Sequence, residues 1–383
     1  MKRLFQLLIS LGVLLMSTAV VTASGPASGT PTLFSHFTVV NTYTGTPSGV
    51  AFDSQNNRYV VFNNGPRDHG PTNVLEYSAA DPSTAINFAS DGGRSSGIAF
   101  NATLNSLVEV QPTNIAGQTV FTVASNSVSE FAAVDNATGV TVDSSGNLFV
   151  ATGADGSIIE FPHDGGSRTV VSDLANPTAL LSTTPGKLLV GDCAAGRSGG
   201  KVVEVTIATG QEHTLSRSMV CPDGLAIAPS GALLVSDYGT GIVYRQSMTG
   251  SFVAIASGLV RPQGIAFDST GNLYIANSGA RTIVEIPVAT FASELAISHR
   301  VATVTARSLR VSWVNSAFTN QVTCSLFRQN GSTLTPLRAK TLTTPVCTFI
   351  NLSTSTKYAV RILATDGTMN ALGSWISLTT RKK

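Results

Sequence analysis

Charge is scarce in this chain of 383 residues: Asp, Glu, Lys and Arg together make up 12%, about half the usual share of a soluble domain. The net charge is +2, and no basic patch has aromatics interleaved, so the electrostatic footprint of a nucleic-acid binder is missing. Beyond the N-terminus no stretch carries the period of a long amphipathic helix. No G-x-S-x-G elbow, no phosphate-cradling glycine loop and no Cys-x-x-Cys occurs. The five histidines, at 36, 69, 163, 213 and 299, have no metal-ligand spacing. These absences argue against serine-hydrolase, nucleotide-binding and zinc-site chemistry. What is abundant is apolar residues, 43%, and glycine, 35 residues, alongside many Ser and Thr. That mixture suits an all-β protein with many turns.

The N-terminus has the pattern of an export signal. Lys2 and Arg3 precede an apolar run from Leu4 to Met16, and Val21-Thr22-Ala23 supplies small residues for cleavage after Ala23. The expected processing therefore removes residues 1–23 and leaves a secreted or extracytoplasmic protein, in the periplasm or at the cell surface. Retention of the run as a membrane anchor is the alternative, although its length is at the lower limit for a span. In an oxidising compartment the four cysteines, Cys193, Cys221, Cys324 and Cys347, are expected in disulfides. Of the three connectivities, pairing within each region is the simplest. Four buried thiols are the alternative.

Internal repetition decides the fold class. Six segments share one pattern: small-polar residue, Gly, apolar, Ala, apolar, a turn, then an apolar strand. They begin PSGVAFD at Pro47, SSGIAFN at Ser95, ATGVTVD at Ala137, PTALLST at Pro177, PDGLAIA at Pro222 and PQGIAFD at Pro262. Their anchors are Gly49, Gly97, Gly139, Ala179, Gly224 and Gly264, spaced 48, 42, 40, 45 and 40 residues apart. A strand-built period of this length means propeller blades. The sixth unit has three strands of its own. An orphan strand, His36-Phe37-Thr38-Val39-Val40, precedes the first unit and is expected to complete the sixth blade. The fold class is thus all-β: a six-bladed β-propeller over residues 34–290, followed by an immunoglobulin-like β-sandwich over 295–381.

The motif P-x-G-[IVL]-A-[FIV]-D-x-x-G-N-L-[YF]-[VI]-A resembles NHL repeats, most closely in units three, five and six. It is also similar to gluconolactonase-type propellers. The C-terminal unit resembles a fibronectin type III domain: Trp313 lies on an early strand, and Leu352 is followed six residues later by Tyr358, placed to form a tyrosine corner. Ser353-Thr354-Ser355 replaces the usual Pro-Gly between them. That alignment implies that Cys324 and Cys347 bridge the sandwich core. Cys193 and Cys221 are expected to link units four and five near the channel mouth.

The propeller resemblance implies that the residue before each anchor faces the central channel: Ser48, Ser96, Thr138, Thr178, Asp223 and Gln263. A lactonase-type metal would need Glu, Asn and Asp there. Position 48 is Ser and position 178 is Thr, leaving Asp223 as the one carboxylate, a poor donor set for a hard cation. No metal and no cofactor is therefore expected, a single Ca²⁺ near Asp223 being the alternative. Asp223→Ala is expected to weaken a channel ligand most. Asp192, Asp237 and Asn277, each 13 residues after an anchor, are expected to bond backbone. Arg67-Asp68-His69-Gly70 forms the longest insertion of unit one and reads as a solvated loop. The function expected is a monomeric binding protein for a protein, peptide or glycan, without nucleic acid or membrane insertion after cleavage. The alternatives are a channel-active hydrolase or lyase, and a structural envelope or matrix protein.

Overall fold

A computed structural model describes residues 37–64, 72–91, 93–111, 120–194, 199–247, 249–294, 298–314, 319, 321–365 and 374–382. The proposed signal segment and the insertion Arg67–Gly70 lie outside the described residues. The chain folds as six four-stranded antiparallel sheets, a β-propeller, followed by two further sheets. No helix among the described residues is long and apolar enough to cross a membrane.

Strand β1 (Thr38–Thr42) comes first. The first blade follows as β2 (Thr46–Phe52), β3 (Arg58–Asn63), β4 (Thr72–Ser78) and β5 (Asp81–Asp91). The second is β6 (Gly97–Asn101), β7 (Ser106–Val110), β8 (Val120–Ala124) and β9 (Ser127–Ala132). The third is β10 (Ala137–Val142), β11 (Leu148–Thr152), β12 (Ser157–Phe161) and β13 (Arg168–Val171). The fourth is β14 (Pro177–Ser182), β15 (Lys187–Asp192), β16 (Gly200–Thr206) and β17 (Gln211–Met219). The fifth is β18 (Pro222–Ile227), β19 (Leu233–Asp237), β20 (Ile242–Gln246) and β21 (Phe252–Ala256). The sixth has β22 (Pro262–Phe267), β23 (Leu273–Asn277) and β24 (Thr282–Ile286), and β1 is its outer strand. In that pairing Thr38 faces Glu285 and Thr42 faces Thr282. The strand expected at His36–Val40 is found at Thr38–Thr42, with a register shift between Val39 and Asn41; His36 lies outside the described residues.

The repeated turn has a physical reason. In Asp53, Asp143 and Asp268 one carboxylate oxygen accepts the amides two and four residues on, at 2.8–2.9 Å. The other accepts Nδ2 of the Asn four residues on. That Asn in turn accepts an amide after the blade's third strand: Asn57 from Ala79, Asn147 from His163, Asn272 from Val288. The fourth turn residue has positive φ, 68° at Asn56, 85° at Gly146 and 90° at Gly271, which Gly or Asn adopts at least cost. One Asp-x-x-(Gly/Asn)-Asn turn thus ties three strands of a blade.

The anchor glycine is needed for close approach. A Cβ on Gly139 would stand 2.5 Å from the Thr178 carbonyl oxygen, and one on Gly224 would stand 2.3 Å from that of Gln263. The inner strands pass one another too closely for a side chain. Apolar layers fill the gaps between blades. Between the last and the first, Val50, Val60 and Tyr77 pack with Tyr274, Ala276 and Ile283. At this seam Tyr43 and Tyr77 share a hydroxyl hydrogen bond of 2.9 Å. Burial, and then that bond, push the Tyr43 phenol far above its usual range, and burial raises Tyr274 to about 12.

After the short helix α1 (Val288–Glu294) come β25 (Ser298–Val304), β26 (Ser308–Val314), β27 (Gln321–Asn330), β28 (Thr333–Leu342), β29 (Val346–Ile350), β30 (Lys357–Thr365) and β31 (Ser374–Thr379). They form a three-stranded sheet, β25-β26-β29, and a four-stranded one, β28-β27-β30-β31. Leu309, Val311, Trp313, Val322, Leu326 and Phe349 are buried. The Cys324–Cys347 disulfide joins β27 to β29, and so one sheet to the other. Tyr358 Oη accepts the Ser353 amide at 3.0 Å, the bond of a tyrosine corner.

Candidate functional site

The residues at the channel are set by a β-bulge. In the first strand of blades one, three, four, five and six the register slips around the position before the anchor, between Pro47 and Gly49, Ala137 and Gly139, Pro177 and Ala179, Pro222 and Gly224, and Pro262 and Ile265. A bulge re-aims the unpaired residue. The unpaired positions are Ser48, Thr138, Thr178, Asp223 and Gln263. In blade two the first strand begins at the anchor itself, Gly97 opposite Val110, and the Ser96 amide donates to the Val110 carbonyl at 2.9 Å.

Three of the hydroxyls fasten one blade to the next. Ser96 Oγ donates to the Ala137 carbonyl at 3.3 Å, Thr138 Oγ1 to that of Pro177 at 2.6 Å, and Thr178 Oγ1 to that of Pro222 at 2.9 Å. Each acceptor is the first residue of the neighbouring inner strand. Asp223 cannot donate in this way. At that step Ser236 Oγ, from β19, donates to the Gln263 carbonyl at 2.6 Å, while Gln263 Nε2 donates to Asp223 Oδ2 at 3.2 Å. Ser48 Oγ is buried and has no hydrogen-bond partner among the described residues. The space between the inner strands is small, about 70 Å³, bordered by Ser48, Ser96, Thr178 and Asp223.

If the hydroxyls serve as clasps, Thr138→Val should cost about 1 kcal/mol or more, since the Pro177 carbonyl loses its donor. Denaturant titration measures that loss. Affinity for a bound ligand should stay as in the parent protein.

A larger cavity, about 340 Å³, lies beside blades four to six, with Thr46 of the first blade and Arg94 also on its border. Asn176, Thr178, Asp223 and Gln263 border it, with the Cys193–Cys221 disulfide and Tyr238. The loops that carry these groups are fixed by the residues 13 after each anchor. Asp192 accepts the Ala175 and Asn176 amides at 3.1 and 2.7 Å. Asp237 accepts those of Val220 and Cys221 at 2.9 and 2.8 Å, and Asn277 accepts that of Val260 at 2.7 Å. These three therefore hold the segment that leads into the inner strand of their own blade.

Three arginines also border the cavity, Arg94, Arg261 and Arg281, all exposed. Sequence reasoning confined to the ring missed them. Arg261 lies over the Tyr238 ring, its Cζ 6.0 Å from the centroid. Arg281 donates to the Thr44 carbonyl at 3.1 Å. Both hold left-handed backbone, φ 53° and 58°. Arg281 occupies the position before the third strand, where three other blades have Gly156, Gly199 and Gly241, at φ 63°, 80° and 70°. An arginine in a glycine's place is the sequence signal that could have found it. Among the described residues no three His, Cys, Asp or Glu side chains come together to hold a metal ion.

No family model matches this sequence. No curated protein matches it either. Solved structures do. A gluconolactonase from Xanthomonas campestris is 17% identical, with a TM-score of 0.55 over 70% of this chain and 99% of that one. A calcium-binding regucalcin from Agrobacterium tumefaciens is 14% identical, with a TM-score of 0.50 over 65% and 92%. An auxiliary nutrient binding protein from Bacteroides thetaiotaomicron is 11% identical, with a TM-score of 0.52 over 64% and 69%. At such identities the likeness is one of fold, and fold alone does not carry function.

Proposed function

We propose that this chain is an exported binding protein whose propeller holds its ligand in the cavity beside Asp223. The observation that carries the reading is the division of labour among polar groups. Ser96, Thr138 and Thr178 direct their hydroxyls to the neighbouring blade. The guanidinium, amide and carboxylate groups surround a cavity of about 340 Å³, within the range of small-ligand sites. On this reading the repeats are of the NHL type over residues 34–290. The unit over 295–381 is a fibronectin type III domain acting as spacer or second contact. The two disulfides and the signal-like N-terminus support an oxidising, extracytoplasmic location.

Metal-assisted lactone hydrolysis is not expected. It needs an ion held firmly enough to polarise a carbonyl or activate water, and Ser48 and Thr178 offer neutral hydroxyls in place of strong donors. The test is calorimetric titration with Ca²⁺ and Zn²⁺, followed by a lactone panel with and without chelator. The expected result is no chelator-sensitive turnover. Tight metal binding with such turnover would make the protein an enzyme instead.

A further inference from the structure

The cavity's charge is lopsided. Among the described residues that line it, Arg94, Arg261 and Arg281 carry positive charge and Asp223 alone is a carboxylate. Asp223 is itself engaged by the Gln263 amide. Cations gathered around one concavity set up a positive field, which the concave wall concentrates and which draws anions in. A guanidinium is also the side chain whose paired donors match a carboxylate or phosphate edge.

The backbone gives a second, independent observation. Arg261 and Arg281 sit at φ 53° and 58°, a region that costs a side chain conformational energy. Glycine meets the same demand before the third strand of three other blades. At Arg281 the chain gives up glycine's ease for a guanidinium, and it does so at this cavity. Such strain recurs where a ligand is clamped.

We infer that the cavity binds a small ligand through an oxyanion group, a carboxylate or a phosphate, received by Arg261 and Arg281 with Arg94 adding attraction. This deepens the binding reading above and rests on it. Asn176, Gln263 and Ser278 would meet neutral polar parts of the ligand, and Tyr238 would offer a ring face beside Arg261. For an anion, the sign expected of Asp223 reverses. Its charge opposes the ligand, so Asp223→Asn should tighten binding.

The test is titration calorimetry on the exported full chain at low salt. The carboxylate probes are glucuronate and citrate, the phosphate probes are glucose 6-phosphate and inorganic phosphate, and the controls are glucose and spermidine. At least one anionic arm should bind, neither control should, and added salt should weaken the anion. Arg261→Gly and Arg281→Gly should each weaken that anion about tenfold or more, the loss of one charged hydrogen bond. Their Tm should hold or rise, because glycine adopts the left-handed backbone freely. That combination separates lost charge from a damaged fold. Glucose binding as tightly as the anions would overturn the inference while leaving the binding reading in place. Silence from all four anions, or arginine variants that bind them unchanged, would also overturn it. Chelator-sensitive lactone turnover would instead remove the binding reading itself.

Discussion

A chain lacking residues 24–42 is expected to lose roughly 3–6 kcal/mol of stability, judged from the strand hydrogen bonds and buried contacts removed, and to self-associate. The deletion takes away β1. Its ladder to β24 runs from Thr38–Glu285 to Thr42–Thr282, and the Tyr43 amide continues it to the Arg281 carbonyl at 2.9 Å. Asn41 Oδ1 also accepts Nη2 of the buried Arg58 at 2.7 Å, so β1 contacts the first blade as well as the last. Without β1 the sixth sheet would present β24 as an open edge, which templates pairing with another chain. Arg58 would lose its carbonyl acceptor on Asn41. Thermal melts and size-exclusion chromatography of the truncated and complete proteins measure both effects. A truncated chain that melts with the complete one would show that the pairing does not hold the propeller together.

Replacing Cys193 and Cys221 together by Ser should cost about 3.5 kcal/mol in the loop-entropy treatment, given their sequence separation of 28. The bridge joins the end of the fourth blade's second strand to the entry of the fifth blade's inner strand. It lies two residues before Asp223 and borders the cavity. Asp237 still accepts the Cys221 amide, and Asp192, next to Cys193, still accepts that of Asn176, so the folded variant should retain its blades while its cavity loosens. Denaturant titration should show the stability loss, and affinity at the cavity should fall with it. A variant as stable as the parent, with parent affinity, would mean the two aspartates suffice.

The repeat was legible because each of its letters answers a local demand. Asp and Asn close a turn whose partners lie within a few residues, as Asp268 and Asn272 do. The anchor glycine admits a neighbouring strand. The tyrosine corner was equally local, since Tyr358 and Ser353 are five residues apart. What could not be read was partnership across blades. Ser96, Thr138 and Thr178 look like ligand hydroxyls in a list of ring positions. Only the geometry of the next blade shows their acceptors, about 40 residues away in sequence, as in the 41 residues from Ser96 to Ala137. Nor could a single repeat reveal which loops converge at one end of the propeller. The arginines come from three different connections. Of the three arginines, Arg281 departs visibly from the repeat's pattern, at a position where three other blades have glycine.

On this reading the ring fastens the blades while the cavity beside Asp223 takes the ligand. One paired comparison separates the two roles. The anion that binds best is titrated against the double variants Arg261→Gly/Arg281→Gly and Ser96→Ala/Thr138→Val. The first should lose affinity while keeping its Tm, and the second should keep its affinity while its Tm falls. The opposite pattern, with affinity lost in the ring variant and retained in the arginine variant, would contradict it.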